Sequence, residues 1–216
     1  METETRTYRS ALREAQAAAT RNRILDAAAE EFAERGFAGA TLAAIAGTAG
    51  VSVETVKLAG TKRELLFAAW EHRLGGPAAG RAFLDDAAFR AEVEAIPDAA
   101  LVPALVERAA EISRRGHRLW LALLDAARTE PALRAEIDAQ QSRRRTEFRL
   151  IVDELARRGL LREDRPRDEL AAGLAFLVSA EGYAQLVGGS ALDHERYRAW
   201  LADAITRLVA PSRAAG

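Results

Sequence analysis

The chain has 216 residues and a formal charge that nearly cancels, 31 Lys and Arg against 32 Asp and Glu, with no cysteine. A disulfide framework and a cysteine-based metal site are thereby excluded, and a hydrophobic content of 49% excludes a disordered chain. Six prolines and fifteen glycines are too few for a collagen-like or low-complexity sequence.

The length fits one large domain or two small ones. Neutral overall charge gives no global signal for nucleic acid, so such a role has to come from a local pattern. Only two of the basic residues are lysines, Lys57 and Lys62; the rest are arginines. The polar, mixed-charge start and the lack of a long uncharged apolar run predict a cytoplasmic protein without a membrane partner.

Alanine, with 49 copies, and arginine are strong helix formers, and apolar residues recur at three- and four-residue spacing throughout. No period-two pattern extends beyond a few residues, so the fold class is all-α, with about nine helices. A first helix is expected from about Leu12 or Thr20 to Arg35, stopping at Gly36. Thr41 and Ser52 are hydroxyl N-caps for two short helices separated by Gly47 and Gly50. After Gly60, Thr61 and Glu64 form a capping box for a helix carrying Leu65, Leu66, Phe67 and Trp70. Gly75-Gly76-Pro77 marks a boundary between domains of residues 1–75 and 76–216.

Beyond it, helices are expected to break near Pro97, at Gly116 and, unless it opens a first turn, at Pro103. His117–Ala127 and a long helix from Pro131 to Arg158, ended by Gly159, follow. Pro166 opens a helix to about Val187, and Asp193 caps the last one, which runs to about Val209.

Ala46, Gly50 and Val56 have the spacing of a helix-turn-helix: a small residue for a close crossing, a glycine for the turn, an apolar residue packing back. In order around it stand Arg23-Ile-Leu-Asp-Ala-Ala, Phe32-Ala-Glu-Arg-Gly-Phe37, Thr41-Leu, Ala49-Gly-Val-Ser52, Thr55-Val and Lys62-Arg-Glu-Leu-Leu66. From about Thr20 to Trp70 the chain resembles the DNA-binding domain of the TetR (tetracycline-repressor-like) family. The segments Glu181–Val187 and Glu195–Asp203 resemble the last two helices of some members.

The resemblance implies an all-α homodimer whose first three helices bind double-stranded operator DNA and whose C-terminal domain binds a small effector. It calls for no cofactor, metal or enzymatic activity. No histidine pattern of a metalloenzyme, nucleophile elbow or phosphate-cradling glycine loop is present.

One departure stands out. The family's second motif helix usually continues from Thr-Val with a tyrosine and then an aromatic before a Ser/Thr-Lys pair. Here Thr55-Val-Lys-Leu-Ala-Gly-Thr-Lys62 lacks both, and the segment is one residue short; Ala43 also replaces a commonly polar or basic residue. A second reading is therefore a helical dimeric ligand-binding protein with a degenerate motif that no longer reads DNA.

If the motif reads DNA, its second helix lies in the major groove, with Ser52, Val53, Glu54, Thr55 and Lys57 at base edges or phosphates. Thr41 and Lys62 sit at helix N-termini suited to phosphate, and Arg9, Arg13 and Arg21 are candidates to extend that track. Residues 1–74 hold ten basic and ten acidic side chains, so the domain as a whole is not basic.

Candidate effector-pocket walls are Trp120, Leu123, Leu124, Phe148, Val152, Phe176 and Tyr183, with His117, Arg144, Arg145 and Glu181 as orienting polar groups. These walls point to a hydrophobic or amphipathic effector. A homodimer through the last two helices would bury a stripe of Leu170, Leu174, Leu177, Val178, Leu186, Trp200, Leu201, Ile205 and Leu208.

Overall fold

The computed structural model describes residues 2–75, 91, 93–189 and 192–211, with side chains from residue 13 onward. The described residues contain helices and no strand. They are α1 (Glu2–Gly39), α2 (Leu42–Ala49), α3 (Val53–Ala59), α4 (Lys62–Leu74), α5 (Asp98–Ala126), α6 (Pro131–Arg157), α7 (Arg167–Leu177), α8 (Ala180–Tyr183, running into a π turn over Ala184–Gly188) and α9 (His194–Val209). None of them is long and apolar enough alone to cross a membrane. The proposed boundary at Gly75-Gly76-Pro77 lies partly outside the described residues.

Local chemistry accounts for most helix ends. Gly36 interrupts α1 at φ 65, ψ −179, a conformation open almost only to glycine, so regular helix ends where the sequence placed it. The start differs, because backbone helix reaches back to Glu2. Thr41, Ser52, Thr61 and Asp193 each accept a hydrogen bond from the backbone N–H three residues on. Gly50 and Gly159 take left-handed φ values of 65° and 70°. Around Gly50 the N–H of Val51 donates to Ala46 O at 3.1 Å and that of Gly50 to Gly47 O at 3.3 Å, a Schellman end; Leu160 and Gly159 repeat it after α6.

Two expected breaks do not occur. Gly116 lies inside α5, which runs unbroken through Pro103 as well. Proline at the sixth helical position costs one backbone hydrogen bond without ending the helix. Glycine at 116 answers to packing: a Cβ there would stand 2.8 Å from Leu74 Cδ2 and 3.4 Å from Trp70 Nε1, so its absence lets α4 cross α5 closely. Conversely, the helix expected from Pro166 to Val187 breaks after Leu177, where Ser179 restarts it by capping Gly182 N at 3.1 Å.

The buried side chains fall into two clusters. One joins Ile24, Phe32, Ile45, Val56, Leu66 and Trp70 of α1–α4 to Leu119, Leu123, Leu133 and Ile137 of α5 and α6. The other holds Leu101, Val152, Leu155, Leu170, Leu174, Tyr197, Leu201 and Ile205.

Within the second cluster the Tyr197 ring packs edge-on against Tyr183, centroids 4.7 Å apart. Its buried hydroxyl lacks a well-formed hydrogen bond, although Ser113 lies beside it. Burial pushes this phenol up from about 10 to about 12. Stability tied to the neutral phenol is thus present below pH 10 and lost as the pH climbs through the range from 10 to 12. Tyr197→Phe removes that loss at little cost near neutrality. Its melting temperature should fall less than the wild type's across this alkaline range, and equal falls would assign the alkaline sensitivity elsewhere.

Candidate nucleic-acid interface and ligand cavity

The axes of α2 and α3 differ by 106°, the crossing of a helix-turn-helix. Ala46 and Val56 are buried between them, as the motif requires, and Gly50 makes the turn. This leaves Ser52, Val53, Glu54, Lys57 and Leu58 of the α3 segment exposed, with Thr55 half-buried.

Thr41 and Ser52 act as N-caps, accepting from Ala44 N and Thr55 N, each at 3.1 Å. The Ser52 and Thr55 hydroxyls share a 2.8 Å hydrogen bond. Lys57 Nζ donates to Glu54 Oε1 at 2.8 Å. Lys62 Nζ donates to Ala38 O at 3.4 Å and stands 4.8 Å over the Phe37 ring, which fixes the start of α4 to the end of α1. At the cap of α4, the backbone hydrogen bond from Thr61 holds the Glu64 carboxyl below its ordinary value.

Arg21 is drawn to a different task from the one expected: its guanidinium donates to Ala59 O at 3.2 Å, at the C-terminus of the short α3. Arg13 is exposed, and the side chain of Arg9 lies outside the described residues. Leu58 was not anticipated. It is 88% exposed, the most exposed large apolar side chain described, and follows Glu54 by one helical turn, a spacing that could have singled it out.

A cavity of about 230 Å³ opens where α4, α5, α6 and the α7–α8 break converge. His117, Arg144, Arg145 and Glu181, the four expected polar groups, all line it, as does Trp120. Trp70 and Leu74 of α4 were assigned by sequence to the DNA-binding half alone, yet they form part of this wall. Trp70 and Trp120 lie 5.2 Å apart between ring centroids. Ser113, Gln140 and Gln141 were also missed.

His117 Nδ1 lies 2.9 Å from Ser113 O. A carbonyl only accepts, so Nδ1 carries the proton, and burial keeps the ring's pKa below its ordinary value.

Phe148 lines a second cavity of about 90 Å³ behind the first, with Arg144 and Val178 in both walls. The other expected walls need correction. Leu123 and Leu124 pack into the core shared with α1–α4, Val152 is buried in the second core, and none of the three lines either cavity. Phe176 faces solvent, 76% exposed. Tyr183 is buried next to the cavity, its ring 4.8 Å from that of His117 and its hydroxyl 3.2 Å from His194 Nδ1.

The expected dimer stripe is likewise divided. Leu170, Leu174, Val178, Leu201 and Ile205 are buried within the chain, whereas Trp200 remains 38% exposed.

Residues 24–69 match the model of the bacterial regulatory proteins of the tetR family. The N-terminal domain is a TetR-family domain. The match covers the helix-turn-helix segment and its flanking helices, the part of the chain that such regulators use to bind DNA. No curated protein matches the sequence.

Among solved structures, a transcriptional regulator from Saccharomonospora viridis in complex with choline superimposes with a TM-score of 0.68 at 22% identity, over 89% of this chain and 98% of that one. A TetR-family regulator from Rhodococcus sp. gives 0.64 at 21%, covering 88% and 98%. FadR from Bacillus subtilis in complex with stearoyl-CoA gives 0.64 at 16%, covering 85% and 96%. The TetR-type likeness in fold thus extends past the matched domain into the helices that enclose the cavity.

Proposed function

We propose that the protein is a one-component repressor that binds operator DNA as a homodimer and releases it when a small molecule enters the 230 Å³ cavity. Residues 1–75 would carry DNA contact, and 76–216 effector binding and dimerisation. The observation that carries the reading is the cavity wall: Trp70 and Leu74 belong to α4, which follows directly on the helix-turn-helix. A ligand pressing on them acts on a helix packed against α1, the helix on which α2 and α3 also pack. Choline and stearoyl-CoA bound to neighbours of the same fold support a small-molecule site in this chain.

On the DNA side, Ser52, Val53, Glu54 and Lys57 face the major groove, with Leu58 available to a thymine methyl. Thr41, Thr55 and Lys62 would serve phosphates. Phe176 and Trp200, exposed on α7 and α9, are the aromatic side chains that dimerisation through these helices would cover.

Selection of binding sites from genomic DNA, followed by gel shift, tests the DNA role. Lys62→Ala should weaken binding to every sequence and reduce the log–log salt slope by about one unit. An unchanged slope removes Lys62 from the phosphate contacts. A folded dimer that selects no site favours the alternative, a ligand-binding protein whose motif is degenerate at Lys57, where the family carries tyrosine.

A further inference from the structure

The cavity's polar groups identify the class of ligand it suits. Arg144 projects from α6 into the wall shared by both cavities. One N–H of its guanidinium donates to Val178 O at 2.6 Å, and the group lies 5.3 Å from the centroid of the Phe148 ring. Most arginines of the C-terminal half hold a carboxylate: Arg114 bonds Glu111, Arg157 and Arg158 bond Glu154, and Arg162 bonds Asp164. Arg144 forms no such direct pair, although it is half-buried and burial lowers its pKa; the carboxylates of Glu147 and Glu181 act on it only from beyond salt-bridge distance. A half-buried guanidinium whose nearest carboxylates stand beyond direct contact keeps donors for a further anion, and its planar fork matches a carboxylate in two places at once.

We infer that the cavity takes a small amphipathic anion, a single aromatic ring or an apolar body of similar size bearing one carboxylate, with the carboxylate on Arg144. This inference rests on the reading of the cavity as the effector site.

The remaining charges agree with it. Arg145 stands at the same wall, so two guanidinium groups face the single carboxylate of Glu181. In the smaller cavity Arg108 and Glu147 accompany Arg144; burial raises the Glu147 pKa while Arg144, Arg143 and Arg108 lower it. His117 is neutral, and its Nε2 is left as an acceptor for a ligand hydroxyl.

Size sets the rest. A cavity of about 150 Å³ holds benzene, so 230 Å³ admits one ring, a carboxylate and little more. The indoles of Trp70 and Trp120 and the side chain of Leu74 provide the apolar wall.

Titration calorimetry and tryptophan fluorescence of the full chain, without DNA, test this with benzoate, benzyl alcohol as its uncharged counterpart, and choline. Benzoate is expected to saturate the protein and to bind on the order of tenfold tighter than benzyl alcohol, the difference a charge-assisted hydrogen bond makes. Arg144→Gln should erase that preference, and Arg144→Lys should keep part of it.

Equal affinities, binding of choline instead of benzoate, or binding of none of the three overturns the inference. If Arg144→Gln does not fold, as circular dichroism would show, the comparison of the three ligands on the wild type still decides. Operator binding is measured separately. A protein that binds DNA but not benzoate loses the anion and keeps the regulatory reading; one that binds benzoate but no DNA does the reverse.

Discussion

Leu123→Ala is expected to destabilise the protein by about 3 kcal/mol, the usual cost of deleting a buried leucine side chain in a core that cannot close over the gap. The larger consequence is where that loss is felt. Leu123 belongs to the C-terminal half by sequence, but it is fully buried in the cluster that contains Ile24, Phe32, Leu66 and Trp70. The three-helix DNA-binding unit is small and completes its core with α5.

Thermal unfolding followed by circular dichroism and by tryptophan fluorescence should therefore show one shared transition, moved down in temperature, for both halves. Two separated transitions would show that the N-terminal domain is stable by itself. Ligand affinity should be unchanged below the transition, because Leu123 lines neither cavity.

Val56→Asp is expected to abolish specific DNA binding. Val56 is fully buried where α3 packs back on α2 and α1. An aspartate there has no cationic partner in this apolar cluster; it must either take up a proton or force α3 away from α2, at a cost of roughly 3–5 kcal/mol for an uncompensated buried charge. Gel shift with a selected site should show no specific complex at concentrations that saturate the wild type. If the isolated variant remains folded by circular dichroism and still binds ligand, the loss is local to the motif. Retained specific binding would mean that α3 does not need this packing to present its side chains.

The cavity and the motif meet through α4. Its N-terminus is held by the Thr61–Glu64 capping box and its start tied to α1 through Lys62, while its last turns carry Trp70 and Leu74 into the cavity wall. Gly116 lets the two helices approach until a single added carbon would collide with Leu74. Packing this tight transmits a displacement instead of absorbing it, so in the proposed reading a ligand that shifts Trp70 or Leu74 would be felt through α4 at α1, on which α2 and α3 also pack.

Much of this was legible in the amino-acid sequence because its cause is local. Alanine and arginine at helical spacing specified an all-α chain, Thr41, Ser52, Thr61 and Asp193 started helices, and Gly36, Gly50 and Gly159 ended them through backbone conformations other residues resist. The order of short motifs around Ala46, Gly50 and Val56 was enough to suggest the DNA-binding domain, and residues 24–69 match that family.

What only the tertiary structure decided depends on what lies opposite a residue. Gly116 reads like any helix-ending glycine until Leu74 and Trp70 are placed against it. Leu123 and Phe176 are both plausible pocket walls by pattern, but one seals the joint between halves and the other faces solvent. In the run Arg143-Arg144-Arg145, successive helical positions point about 100° apart, and only the packing of α6 against the α7–α8 break selects Arg144 as the guanidinium that meets Val178 O at the cavity wall. Periodicity defines the faces of a helix; the partner across each face, set by contacts far apart in the chain, determines which face becomes core, interface or site.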